Sequence, residues 1–237
     1  MLQLLKTRKI LQTVLFEKAT IDGENDFYAN HIIKLYDFHE KWEDDTTGLR
    51  DYVFTSGDIA QFDQTANKAL KMIHSKIIGN SKKKIEGIMS SGYDEDTGIM
   101  NININSLSED FSIQFLDSLF NELSRYYVEK TVEKPKITYD IVKEKRDSIF
   151  GALQSSQYAL ASFMDSHHGI FQMKDQLKRL RLEGKVKELT AMYTETVKNL
   201  EMADFSLKNK TPVIQAIDTP LSPIEPVSYT HLRAPRD

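Results

Sequence analysis

Residues 186–207 read VKELTAMYTETVKNLEMADFSL. Val186, Leu189, Tyr193, Leu200, Ala203 and Leu207 recur at roughly 3.5-residue spacing, which puts them on one face of a long helix. Thr196 is the weak position of this seam, and neighbouring Val197 is expected to cover it partly. A second seam precedes the first: Ile149, Leu153, Leu160 and Phe163, with small Ser156 filling its gap. Between them Asp165-Ser166-His167-His168-Gly169 interrupts the period. Two long apolar stripes joined by a short break predict an antiparallel helical hairpin with coiled-coil-like packing. Gly151 and Gly184, each costing about 1 kcal/mol against Ala in a helix interior, mark places where the arms can kink.

Working towards the N-terminus, Pro135 is expected to punctuate the chain before the hairpin, because proline lacks the N–H of the helical ladder. Residues 1–20 predict a helix with Leu4, Leu11 and Leu15 on one face. Ile21-Asp22-Gly23 reads as a turn, and residues 26–43 as a second helix with Phe27, Ile32, Leu35, Phe38 and Trp42 on its apolar side. Ser56 or Asp58 caps a third helix, which Gly79-Asn80 ends. The period then changes to two in Lys84–Ser91 and Ile99–Asn105, with turn formers between, so residues 84–105 predict a β-hairpin. Ser108-Glu109-Asp110 starts a fourth helix through Phe111, Phe115, Leu119 and Leu123.

Working towards the C-terminus, Pro212-Val213-Ile214-Gln215-Ala216-Ile217-Asp218 is short, β-branched and followed by Pro220, Pro223 and Pro226. It reads as a strand. An isolated two-stranded hairpin is marginal in water, so Val213–Ile217 is expected to pair with the 84–105 hairpin. The fold class is therefore α+β. Residues 1–134 form a base of packed helices around a small mixed sheet, and residues 135–209 a long protruding antiparallel helical hairpin. Residues 210–226 form a returning strand and a proline-rich connector.

In 237 residues, 40% hydrophobic content is enough to build a core, while a net charge of −4 argues against a general nucleic-acid binder. The absence of cysteine removes disulfides, thiolate metal sites and a cysteine nucleophile. No apolar run approaches the ~20 residues that span a bilayer. No phosphate-binding loop signature occurs, and Gly87-Ile88-Met89-Ser90-Ser91-Gly92 has the wrong spacing for a nucleophile elbow. Asp94, Asp96 and Gly98 resemble a calcium loop out of register, and a hairpin turn explains the same residues. Adjacent His167 and His168 would point about 100° apart on a helix and have no ligand at i+4. Lys82-Lys83-Lys84 reads as a solvated approach to the strand. No catalytic residue, metal or cofactor is expected, so the chain reads as a non-enzyme.

The stretch from Val197 to Pro226, VKNLEMADFSLKNKTPVIQAIDTPLSPIEP, resembles the end of the periplasmic region in polysaccharide chain-length determinant proteins, the Wzz-type polysaccharide co-polymerases. In that family a long helix runs into Thr-Pro, a strand and an Asp-x-Pro-x-x-Pro stretch. The matching residues are Thr211, Pro212, Ile217, Asp218, Pro220 and Pro223. The resemblance implies a non-catalytic regulator of surface polysaccharide (O-antigen, capsule or exopolysaccharide) chain length. Such a protein is a homo-oligomeric scaffold of the bacterial inner membrane that works with the polymerase and the growing glycan. It also implies a membrane helix on each side of this region. Neither is in the sequence, so a soluble periplasmic piece is expected. Residues 227–237, VSYTHLRAPRD, instead resemble a translated transposase adapter from sequencing-library preparation, and are expected not to belong to the protein. The alternative reading is a coiled-coil periplasmic adaptor of an envelope export system, which also carries a helical hairpin but usually flanks it with lipoyl-like β modules.

Overall fold

The computed structural model describes residues 2–43, 48–79, 87–167, 169 and 172–224. The chain divides into two compact units, Met1–Tyr127 with Gln215–Asp237, and Val128–Ile214. Among the described residues most are helical, with two small antiparallel sheets.

The first unit begins with α1 (Leu2–Leu5) and α2 (Arg8–Leu15), followed by strands β1 (Lys18–Ile21) and β2 (Glu24–Phe27). The expected single helix over 1–20 is thus two short helices and a strand. Thr7 separates the helices, its Oγ1 donating to the Leu4 carbonyl at 2.6 Å. Asp22 and Gly23 have φ of +50° and +86°. Both left-handed, they make the two-residue turn that matches the twist of paired strands, and Asp-Gly is a strong hairpin signal. The expected helix over 26–43 is also divided, into α3 (Tyr28–Leu35) and α4 (Phe38–Lys41), because Asp37 turns left-handed at φ +49°.

A single 3-10 turn (Ile59–Gln61) leads to α5 (Gln64–Ile78). Asp58 caps the turn, but the cap of α5 itself is Asp63, whose carboxylate accepts from the Ala66 N–H at 2.7 Å. Gly79, at φ +82°, ends the helix as the sequence predicts.

The expected second hairpin is present as β3 (Met89–Tyr93) and β4 (Met100–Ile104), with Met89 opposite Ile104 and Tyr93 opposite Met100. Residues 84–86 of that expectation lie outside the described residues. The turn is tied by the Asp94 carboxylate, which accepts from the N–H groups of Asp96 (2.9 Å) and Thr97 (3.3 Å). The residues that resemble a calcium loop are spent on closing the turn.

The expected strand Val213–Ile217 does not form. Those residues hold no regular structure, and Val213 and Ile217 are 82% and 78% exposed. Two separate antiparallel pairs replace the small mixed sheet. The β3–β4 pair needs no third strand because helices cover it. Ile88 and Met89 are buried, and Met100, Ile102 and Ile104 pack on the same core, which is the other route by which a hairpin becomes stable.

That core joins Ile10, Leu11, Val14 and Leu15 of α2 to Ile32 and Ile33 of α3 and to Ile73 and Ile77 of α5. It is closed by the start of α6 (Glu109–Ser166), whose Phe111, Phe115, Leu119 and Leu123 recur every fourth residue and are fully buried. Burying each such side chain contributes about 1.5–3 kcal/mol. Ser108 opens this helix, its Oγ accepting from the Phe111 N–H.

α6 is one helix of 58 residues, and Pro135 lies inside it rather than before it. α6 runs unbroken across 134/135, and the two compact units divide at Tyr127/Val128. A proline inside a helix costs about 3 kcal/mol. Long helical runs on both sides carry the chain across it, since propagation is cooperative. α7 (Met173–Lys210) completes the second unit.

Candidate functional site

The second unit is organised by one seam. Ile149 and Leu153 of α6 meet Leu189 of α7, with Val186 and Tyr193 packed alongside. Phe150 and Tyr193 have ring centroids 5.4 Å apart. Further along, the Lys178 ammonium stands over the Phe163 ring at 5.0 Å. In the other direction, Pro135 and Thr138 face Ala203 and Ser206 across a groove of about 370 Å³. Partners on α7 fall in number as those on α6 rise, so the two helices run antiparallel, as expected from their periods.

Thr196, the weak position, is itself buried in the seam. Its hydroxyl donates to the Met192 carbonyl at 2.6 Å, so the polar atom is satisfied within its own helix and the methyl is left for packing. Val197 is only half-buried.

His167 closes the end of α6. Its ring stacks on Phe163 at 4.3 Å, and Nδ1 lies 3.0 Å from the Phe163 carbonyl. His168 and Lys82-Lys83-Lys84 lie outside the described residues. Among the described residues, no group of three or more His, Asp or Glu side chains is placed to hold a metal ion.

The six residues of the expected connector are not brought together. Thr211 caps α7, its Oγ1 donating to the Leu207 carbonyl at 2.9 Å, and Pro212 follows at once. A residue before proline is pushed out of the helical region, and Thr211 indeed has ψ 108°. Ile217, Asp218, Pro220 and Pro223 are exposed. They group with the first unit, where the Ile224 N–H donates to the Glu109 carboxylate at 3.2 Å. Ser222 joins Asp22, Ser108 and Asp110 around the adjoining groove. The chain thus returns to the start of α6 through side-chain anchoring rather than strand pairing.

One polar cluster has no local sequence signal. Glu17, just after α2, lies against Ser118 of α6, near the ion pair of Glu122 with Arg125. Burial pushes the Glu17 carboxyl above its ordinary range, opposed by a hydrogen bond with Ser118 and reinforced by the Glu122 charge. Ser118 Oγ also lies 3.1 Å from the Tyr28 hydroxyl, and burial raises that phenol too. Glu122, itself buried, accepts from Arg125 Nε at 2.9 Å. Every member has a partner inside the cluster, so it acts as a polar tie between Glu17, α3 and α6.

Among the described residues, no helix is long and apolar enough to cross a membrane. Comparison with protein-family models finds no match to the chain, and comparison with curated proteins finds none either.

Proposed function

We propose that the chain is the periplasmic region of a polysaccharide chain-length determinant protein. The observation that carries this reading is the long α6–α7 pair ending on the Thr211-Pro212 cap. There a paired helical arm runs directly into the stretch through Pro223 whose sequence resembles that family. At 1.5 Å per residue, the 38 residues of α7 extend about 57 Å. In this role the protein catalyses nothing. It is a homo-oligomeric scaffold, held in the bacterial inner membrane by helices on either side of this region, and it works with the polymerase on the growing glycan. Pro212, Pro220 and Pro223 suit a connector to such a helix, because each fixes φ and holds the preceding residue extended.

Sequencing the gene across both flanks tests this. The reading expects an apolar span of about 20 residues shortly before residue 1 and another shortly after residue 226. Flanks without either span contradict it.

A further inference from the structure

The face of α7 opposite its seam is apolar too. At about 100° per residue, Met173, Leu177 and Leu180 fall in one narrow stripe, on the far side of the helix from Leu182, Leu189 and Tyr193. They are 74%, 52% and 62% exposed, so they add little to the packing of the second unit. A helix shaped only to pack on α6 would carry polar residues there. Beside the stripe, turned about 100° around the helix, runs a basic line of exposed side chains, Lys174, Arg181 and Lys185, the last 3.4 Å from Glu188, while Lys178 on the same line is turned onto the Phe163 ring. Residues 173–187 hold six cations against Asp175 and Glu183, a local excess of +4 in a chain whose net charge is −4. Lys174 stands in the first turn, where a cation meets the positive end of the helix dipole and opposes helix formation. Helix stability alone does not account for its position.

We infer that residues 173–187 dock on an anionic lipid surface. Met173, Leu177 and Leu180 enter the boundary between headgroups and acyl chains, and the basic line meets the headgroup phosphates. The positive charge selects an anionic partner. The apolar ridge selects a lipid interface over an acidic glycan, which offers such side chains no apolar surface. Farther along the same face Lys187, Glu188, Glu195 and Lys198 break the apolar stripe before exposed Met202 and Phe205, so a second copy laid along α7 would bury mixed charge. This inference does not rest on the polysaccharide reading.

The test is flotation of the full chain with vesicles of equal phosphatidylglycerol and phosphatidylcholine, compared with phosphatidylcholine alone, at low and at high salt. The anionic vesicles bind more than about tenfold better, and salt weakens that binding several-fold. Lys174→Glu with Arg181→Glu and Lys185→Glu lowers binding by more than about tenfold. The same three positions changed to Gln give an intermediate loss. Leu177→Ser with Leu180→Ser weakens binding at unchanged charge, and circular dichroism confirms that each variant keeps its helix. An equal charge change elsewhere, Lys71→Glu with Lys136→Glu and Lys143→Glu, leaves binding within about twofold. Several results overturn the inference: no binding to anionic vesicles, equal binding to both vesicle types, binding that survives the triple Glu variant, or a loss that the control variant reproduces.

Discussion

Leu189→Ala tests the seam that holds the second unit together. Leu189 is buried between Ile149 and Leu153. The substitution removes three carbons, worth about 0.8 kcal/mol each, or roughly 2.4 kcal/mol of transfer energy. A cavity term adds to this, but a seam between only two helices can close partly over the gap. The total should therefore lie near 2–3 kcal/mol, the lower half of the range for buried leucines. At about 1.4 kcal/mol per factor of ten, hydrogen-exchange protection of the amides from Val186 to Tyr193 should fall about 30- to 140-fold. Amides of the β3–β4 hairpin, in the other unit, should keep theirs. Met202, 70% exposed on the same helix, is the reference, and its replacement by Ala should change stability by no more than about 0.5 kcal/mol. If Leu189→Ala and Met202→Ala give equal protection, α7 is not held by this seam.

Asn30→Ala should cost about 2–4 kcal/mol in urea unfolding. Asn30 is buried, and its side chain bonds both the N–H and the carbonyl of Phe54 at 2.9 Å, so Ala strands two backbone groups. Pro135→Ala should raise the melting temperature, with a gain of about 1–3 kcal/mol, because the helix already continues through that residue. A lower melting temperature would mean that packing depends on the proline. His74 supplies a pH test. Burial first, and then the Arg8 charge, hold its imidazole below the ordinary range, and its buried Nε2 has no hydrogen-bond partner among the described residues. The unfolded chain protonates this histidine near pH 6.5, the folded chain only at lower pH. The unfolded state therefore binds more protons between those values, and stability present above about pH 6.5 is lost as pH falls through the folded value. His74→Leu should shrink the drop in urea midpoint between pH 7 and pH 5, and an unchanged drop would assign that acid sensitivity to other groups.

The long arms and the β3–β4 hairpin were legible because a repeated period reports a buried face whatever covers it. β1 and β2 were not, because four residues each is too short to show a period beside the amphipathic pattern of α2. The Asp22-Gly23 pair carries the hairpin signal, but a turn between two helices uses the same residue types. Pro135 and Val213–Ile217 show that a local preference decides only where its surroundings do not override it. Helix on both sides overrides the proline, and the cover of β3–β4 by helices leaves the 213–217 segment without an edge to join. The seam of α7 is legible because its stripe repeats along most of the helix, whereas the outer stripe through Met173, Leu177 and Leu180 covers only two turns before charged residues break it. The family motif gave the connector residues, whereas the anchoring of Ile224 by Glu109 joins residues 115 positions apart, and no local pattern carries such a contact. The same holds for Glu17 with Ser118.

The most direct measurement is the length distribution of surface polysaccharide. The whole gene that carries this chain is expressed in a strain lacking its own length regulator but keeping its polymerase, and the polysaccharide is resolved on a gel. A broad ladder should collapse towards one preferred length. Leu189→Ala, which loosens the arm, should spread the ladder again at equal protein level. A ladder identical with and without the protein would contradict the polysaccharide reading.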